Sequence, residues 1–188
     1  MKNINYFSRE YFINHPIPGT MNKKKLFTLL FSFVFSIALF AQDKMYRHNG
    51  KTDEVKIIRV AEFTIVYTYP NETAEQTIGK YAVEKIKYAS GREEKITDKV
   101  IVGSKEDWEN VIVLDKVEEA VGLKSVGEVD GKTSGLMAVH TAGSADKKAM
   151  KKLLQDTAEK GGQFVLITSD KDNHYTLQSK KRGVAYSY

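Results

Sequence analysis

The sequence predicts an α+β fold: a small antiparallel β meander or barrel-like module, then a ββαββ unit with one main helix packed on a sheet. Three observations carry this. Residues 43–98 alternate β-branched and aromatic side chains with polar ones and show no helical period. Further along, Met150, Leu153, Leu154 and Thr157 recur at i, i+3, i+4 and i+7, one apolar helix face. Short apolar runs flank that helix on both sides, the order that lays a helix over one face of an antiparallel or mixed sheet.

The chain opens with a polar leader, residues 1–20, read as an overlong start ahead of Met21. Residues 21–41 have signal-peptide order. Lys23, Lys24 and Lys25 precede an uncharged run from Leu26 to Phe40, and the small Ala41 follows. As a helix the run would be about 22 Å long at ~1.5 Å per residue. A bilayer core is about 30 Å thick, so a cleaved signal fits better than an anchor. Cleavage is expected between Ala41 and Gln42, leaving no membrane span.

Residues 42–102 form the expected all-β module. Asn49-Gly50 suits the positive φ angles of a tight hairpin turn. Val55, Ile57, Ile58 and Val60 make the next strand, with a break at Ala61-Glu62. Phe63, Ile65, Tyr67 and Tyr69 alternate with Thr64, Val66 and Thr68, and Pro70-Asn71-Glu72 ends the run. Val83, Ile86 and Tyr88 form a further strand. Ser90-Gly91 then turns the chain into Glu93–Ile96. Residues 103–110 are polar and hold the single tryptophan, Trp108. They read as a linker, with Trp108 wedged between the two halves.

Residues 111–188 are the α+β unit. Val111–Leu114 is a short strand. Leu123, Val126 and Val129 lie on a second, ended by Asp130-Gly131, which Leu136–His140 extends or pairs with. Ser144 suits an N-cap and Asp146 the first helical turn. Gly161-Gly162 stops the helix. Phe164–Ile167 is a central strand and 170–174 a turn. Tyr175 and Leu177 open a last strand that resumes through Val184, Tyr186 and Tyr188.

Composition narrows the function. The chain has 29 Lys+Arg against 24 Asp+Glu. Residues 1–41 hold five of the former and one of the latter, which leaves 24 against 23 beyond them. A nucleic-acid partner gains no support from so even a balance. Cysteine is absent, so there is no disulfide, thiolate metal site, cysteine nucleophile or lipoprotein anchor.

The motifs fail their own geometry. Gly131-Lys132-Thr133 ends like a phosphate loop, but the required earlier glycine falls on Val126, and a solvent turn is the expectation. Asp170-Lys171-Asp172-Asn173 starts like a calcium loop, but its sixth and twelfth positions are Tyr175 and Lys181. A hairpin turn is expected there. His48, His140 and His174 share no metal-ligand spacing, so no cofactor is expected. Were an ion present, His140, His174 and Asp170 would be the candidate ligands. No GxSxG or serine–base motif occurs. Lys147, Lys148, Lys151 and Lys152 stripe one side of the helix, and Lys180-Lys181-Arg182 forms a second cluster. Together they are candidates for contact with an anionic surface. Asp156-Thr157-Ala158 resembles a short O-glycosylation signal of secreted Bacteroidetes proteins, but Thr157 sits on the apolar helix face, where burial is expected.

Two resemblances follow. The end of the signal, Leu39-Phe40-Ala41-Gln42, and the run Ile86-Lys87-Tyr88-Ala89-Ser90-Gly91 resemble exported Bacteroidetes proteins and their small β modules. Val126–Gly131, a helix ending at Gly161-Gly162, Phe164–Ile167 and then Gly183-Val184-Ala185-Tyr186 is similar in order to YbjQ-like and RcsF-like domains. That resemblance covers about 65 residues and implies an α+β unit with a role in envelope-stress sensing or oligomer assembly. RcsF-like sensors depend on disulfides, which this chain cannot form.

The combined expectation is an exported, non-enzymatic protein of the periplasm or envelope, binding or structural in type. Its partner would be another protein or a second copy, with an anionic envelope surface as a further contact. A periplasmic small-ligand or metal-binding protein is the alternative. A hydrolase is third, since no nucleophile–base pair can be named.

Overall fold

Alternation of apolar and polar side chains, punctuated by tight turns, builds the first sheet. The computed structural model of the chain describes residues 42–133, 142–173 and 178–188. Strands β1 (Asp43–Arg47) and β2 (Thr52–Val60) pair antiparallel across the Asn49-Gly50 loop. Gly50 alone of that dipeptide has a positive φ, +85°. The Gly50 amide donates to the Arg47 carbonyl at 3.0 Å, and the Arg47 amide to Lys51 at 2.9 Å. The loop is therefore wider than a two-residue turn.

A bend at 61–63 leads into β3 (Thr64–Thr68), and β4 (Gln76–Gly79) adds to its far side. The 3-10 turn Lys80–Ala82 then returns the chain to the other side of β1, where β5 (Val83–Lys87) pairs, followed by β6 (Glu93–Lys95). The order is β4-β3-β2-β1-β5-β6. The crossover makes this more than a meander, and the six strands form no closed barrel. Met45, Val55, Ile65, Ile78, Val83 and Ile86 form its core.

The second sheet holds β7 (Ile112–Leu114), β8 (Lys124–Lys132), β9 (Phe164–Asn173) and β10 (Gln178–Ser187), in the order β7-β9-β10-β8. Only β7 and β9 run parallel. The helix α1 (Ala142–Glu159) covers one face. The described chain is thus a mixture of strands in two sheets with one main helix.

Several local expectations need correction. β8 runs through Asp130-Gly131 to Lys132, so Gly131-Lys132 lies in a strand and is no solvent turn. β9 runs through Asp170-Lys171-Asp172-Asn173, which is strand rather than turn. Leu136–His140, His174, Tyr175 and Leu177 lie outside the described residues. The helix begins at Ala142, so Ser144 is inside it and does not cap it. Its most buried line is Ala145, Ala149, Leu153 and Thr157, a strict i+4 row, with Met150 and Leu154 at its flank.

Alanine and glycine explain that line. A Cβ on Gly131 would stand 2.0 Å from the Ala149 carbonyl oxygen. The helix lies on β8 at a distance that only small residues allow. Thr157 is fully buried, its hydroxyl donating to the Leu153 carbonyl at 2.9 Å. Trp108 sits in a 3-10 segment, Lys105–Asn110, and packs into the helix-side core with Val111, Leu153 and Val165. It is a prop for the helix and not a wedge between the halves.

The opposite face of the second sheet is apolar at one end. Phe164, fully buried, meets Tyr81 at 5.2 Å and Tyr188 at 5.3 Å between ring centroids. Leu114, Ala120, Val100 and Leu123 complete this cluster, and Leu123 also packs against the core of the first sheet. The Gly79 amide donates to the Val121 carbonyl at 2.8 Å, a further tie between segments. Gln42–Tyr188 is accordingly one compact unit.

Candidate functional site

The loop after β1 places His48 in the lining of a cleft of about 680 Å³. The His48 amide donates to the Ala82 carbonyl at 3.1 Å, which fixes the backbone. Its ring is 6% exposed and lies 4.8 Å from the Tyr188 ring. The Tyr188 hydroxyl accepts from the Val100 amide at 2.8 Å. His48 Nε2 lies 2.9 Å from Thr97 Oγ1.

The Thr97 hydroxyl settles the direction of that bond. It donates to the Val83 carbonyl at 2.8 Å, so its oxygen accepts from Nε2–H. The hydroxyl proton points at a carbonyl and not at the imidazole. That is the reverse of a nucleophile–base pair. Burial lowers the His48 pKa from its ordinary 6.5, and Lys99 lowers it further, against the raising effects of Glu84 and Asp98. The ring is therefore neutral at neutral pH.

The cleft rim is charged and mostly self-paired. Arg47 bonds Asp53 at 2.5 Å, Lys85 bonds Glu93 at 3.3 Å and Lys95 bonds Asp98 at 2.5 Å. Lys99 instead lies over the Tyr188 ring, 5.9 Å from its centroid. Ion pairs at such a rim each contribute little to stability.

The residues singled out from sequence are scattered. Asp170 is bound to Lys181, Nζ to Oδ2 at 2.5 Å, and Asp146 takes the same ammonium at 2.6 Å. His140 and His174 lie outside the described residues. Among the described residues no three His, Cys, Asp or Glu side chains come together as a metal site. Lys147, Lys148, Lys151 and Lys152 are exposed on α1. Lys151 Nζ sits 4.8 Å from the Trp108 ring centroid, and Lys152 Nζ donates to the Lys132 carbonyl at 2.8 Å.

The second basic cluster divides. Lys181 turns toward the helix and is 2% exposed, while its neighbours Lys180 and Arg182 point to the other face. The two clusters thus do not share one surface. Burial pulls the Lys181 pKa down, but its bonds to Asp146 and Asp170 more than reverse this and raise it.

Sequence reasoning missed the His48–Thr97–Tyr188 arrangement. No local signal joins residues that far apart in the chain. Alternation along β10 was the signal that could have separated Lys181 from Lys180 and Arg182.

No helix among the described residues is long and apolar enough to cross a membrane. No family model, curated protein or solved structure matches the chain.

Proposed function

We propose that this is an exported envelope protein of binding or structural type, without an enzymatic reaction of its own. One observation carries the binding reading: two concavities among the described residues are open and lined mainly by charged or hydroxyl side chains. The buried His48–Thr97 contact is arranged as a structural hydrogen bond, with the hydroxyl donating to a backbone carbonyl. Export rests on the signal order of Lys23–Phe40. The β-rich first module followed by a ββαββ unit is the finer architecture we propose. Its order keeps the likeness to YbjQ-like and RcsF-like domains in view and favours an assembly or stress-response role. Partners would be another protein or a second copy, met along open sheet edges.

Sequencing of the native protein's N-terminus tests the export half. A start near Gln42 is expected, and a start at Met1 or Met21 would overturn it. The second reading, a small-ligand protein, is favoured by the volume of the His48 cleft. A saturable chemical-shift change at His48 on adding a small polar ligand would promote it.

A further inference from the structure

The register of the second sheet draws together cations that the sequence keeps apart. Lys180 on β10 stands directly opposite Lys132 on β8 and directly opposite Lys171 on β9. Cross-strand partners share a face, so three lysines form a row across three strands. Neighbouring strands are about 4.8 Å apart, and the row of α-carbons spans about 10 Å. Arg182 lies two residues along β10 on the same face, opposite Asp130 and Ser169.

Like charges directly opposite one another destabilise a sheet. Here two such pairs meet at one residue. None of these four cations bonds a carboxylate among the described residues, although ten ion pairs form elsewhere. A groove of about 650 Å³ runs beside the row, lined by Lys132, Arg182, Thr168 and Ser169, with Asp130 and Glu128 also on its wall. Two cations and two carboxylates thus line the groove itself, and Lys180 and Lys171 continue the row of positive charge beyond it. Lys180 is held below the usual lysine range, by desolvation first and then by Arg182 and Lys132. A bound anion would relieve that repulsion.

We infer that this face, on the side of the sheet away from α1, binds an anion carrying two or more closely spaced phosphate groups. The chemistry matches. Lysines whose α-carbons stand about 5 Å apart on neighbouring strands can each reach one of two adjoining phosphates, and a guanidinium adds a fork for phosphate oxygens. Threonine and serine hydroxyls donate to the same oxygens. The inference deepens the binding reading above by naming a ligand class, and it moves anion contact from the helix lysines to the sheet. It does not depend on export.

Titration calorimetry on the purified 42–188 chain decides it, since those residues form one compact unit. One arm adds tripolyphosphate. The other adds phosphatidylcholine vesicles with and without phosphatidylglycerol. Saturable binding in either arm that weakens as salt rises is expected. Binding in the first arm alone identifies a free oligophosphate, and in the second alone a lipid surface. The double variant Lys132→Gln with Lys180→Gln should lose about tenfold or more in affinity. The same variant should melt at a higher temperature than the parent without ligand, because a like-charge pair is gone. Lys147→Gln with Lys151→Gln should bind as the parent does. Absence of binding in both arms overturns the inference, as does an equal loss in the helix-lysine control. Neither result would bear on where the native N-terminus lies.

Discussion

The Lys181 ammonium is held inside the fold by two carboxylates, Asp146 from the helix and Asp170 from β9. A buried charge that loses all its partners costs far more than one that keeps a single partner. Asp146→Ala or Asp170→Ala alone should cost about 1 kcal/mol, since each carboxylate is partly solvated. The double variant should cost about 3–5 kcal/mol, clearly more than the sum. Urea melts of the four proteins measure this, and additive losses would mean the ammonium finds water. His48 supplies a pH test. Its folded pKa lies below 6.5 because of burial, so the unfolded chain binds the proton more readily. The stability it contributes is full above 6.5 and is lost as pH falls through the lowered folded value. Glu119 acts in the opposite sense, since burial raises its carboxyl pKa above 4.5. The contribution of His48 is therefore read as a difference. His48→Gln should flatten the loss of stability below 6.5 relative to the parent. Neither group's setting was legible in the sequence: Lys181 sits in a basic triplet that looks exposed, and His48 beside a turn.

At the level of elements, the helix shows what periodicity reveals and what it hides. The i, i+3, i+4 pattern located α1 and marked Leu153 as core, and Leu153 is fully buried. Leu153→Ala should cost about 2–5 kcal/mol, whereas Lys147→Ala, on the solvent side, should change stability by less than about 0.5 kcal/mol. Equal shifts in denaturant midpoint would mean the facing is wrong. Ala145 and Ala149 carry too little hydrophobic signal to announce that they, rather than Met150 and Leu154, lie closest to the sheet. The cause is Gly131, whose missing Cβ admits the helix backbone. Gly131→Ala should therefore lower the melting temperature even though alanine suits a strand no worse than glycine. Strands β2, β3 and β5 were legible from their apolar and aromatic patterns, and β1 only through the Asn49-Gly50 turn that follows it. β4, with only Ile78 as a sizeable apolar residue, was not. β8 was ended a few residues early at Asp130-Gly131, and β9 lost its distal half, because those stretches are polar and carry turn-forming residues.

On the scale of the whole molecule, two sheets are tied by an aromatic cluster drawn from distant segments: Tyr81, Phe164 and Tyr188. Pattern reading sees each aromatic within its own segment and has no means of pairing them. Phe164→Ala should cost about 3–5 kcal/mol. Tryptophan fluorescence from Trp108, on the second sheet's helix side, should still change at the same denaturant concentration as far-ultraviolet circular dichroism in the parent. A split between the two probes in Phe164→Ala would show that this cluster is what makes the sheets unfold together.

The parallel pairing of β7 with β9 carries a consequence of another kind. These strands cannot zip until β8 and the whole of α1 have been made and brought round between them. Topologies that wait on such distant partners fold slowly, on the order of milliseconds to seconds. Between synthesis and closure the edges that β7 and β9 offer each other stand unpaired, and the sheet's own wiring sets the length of that exposure.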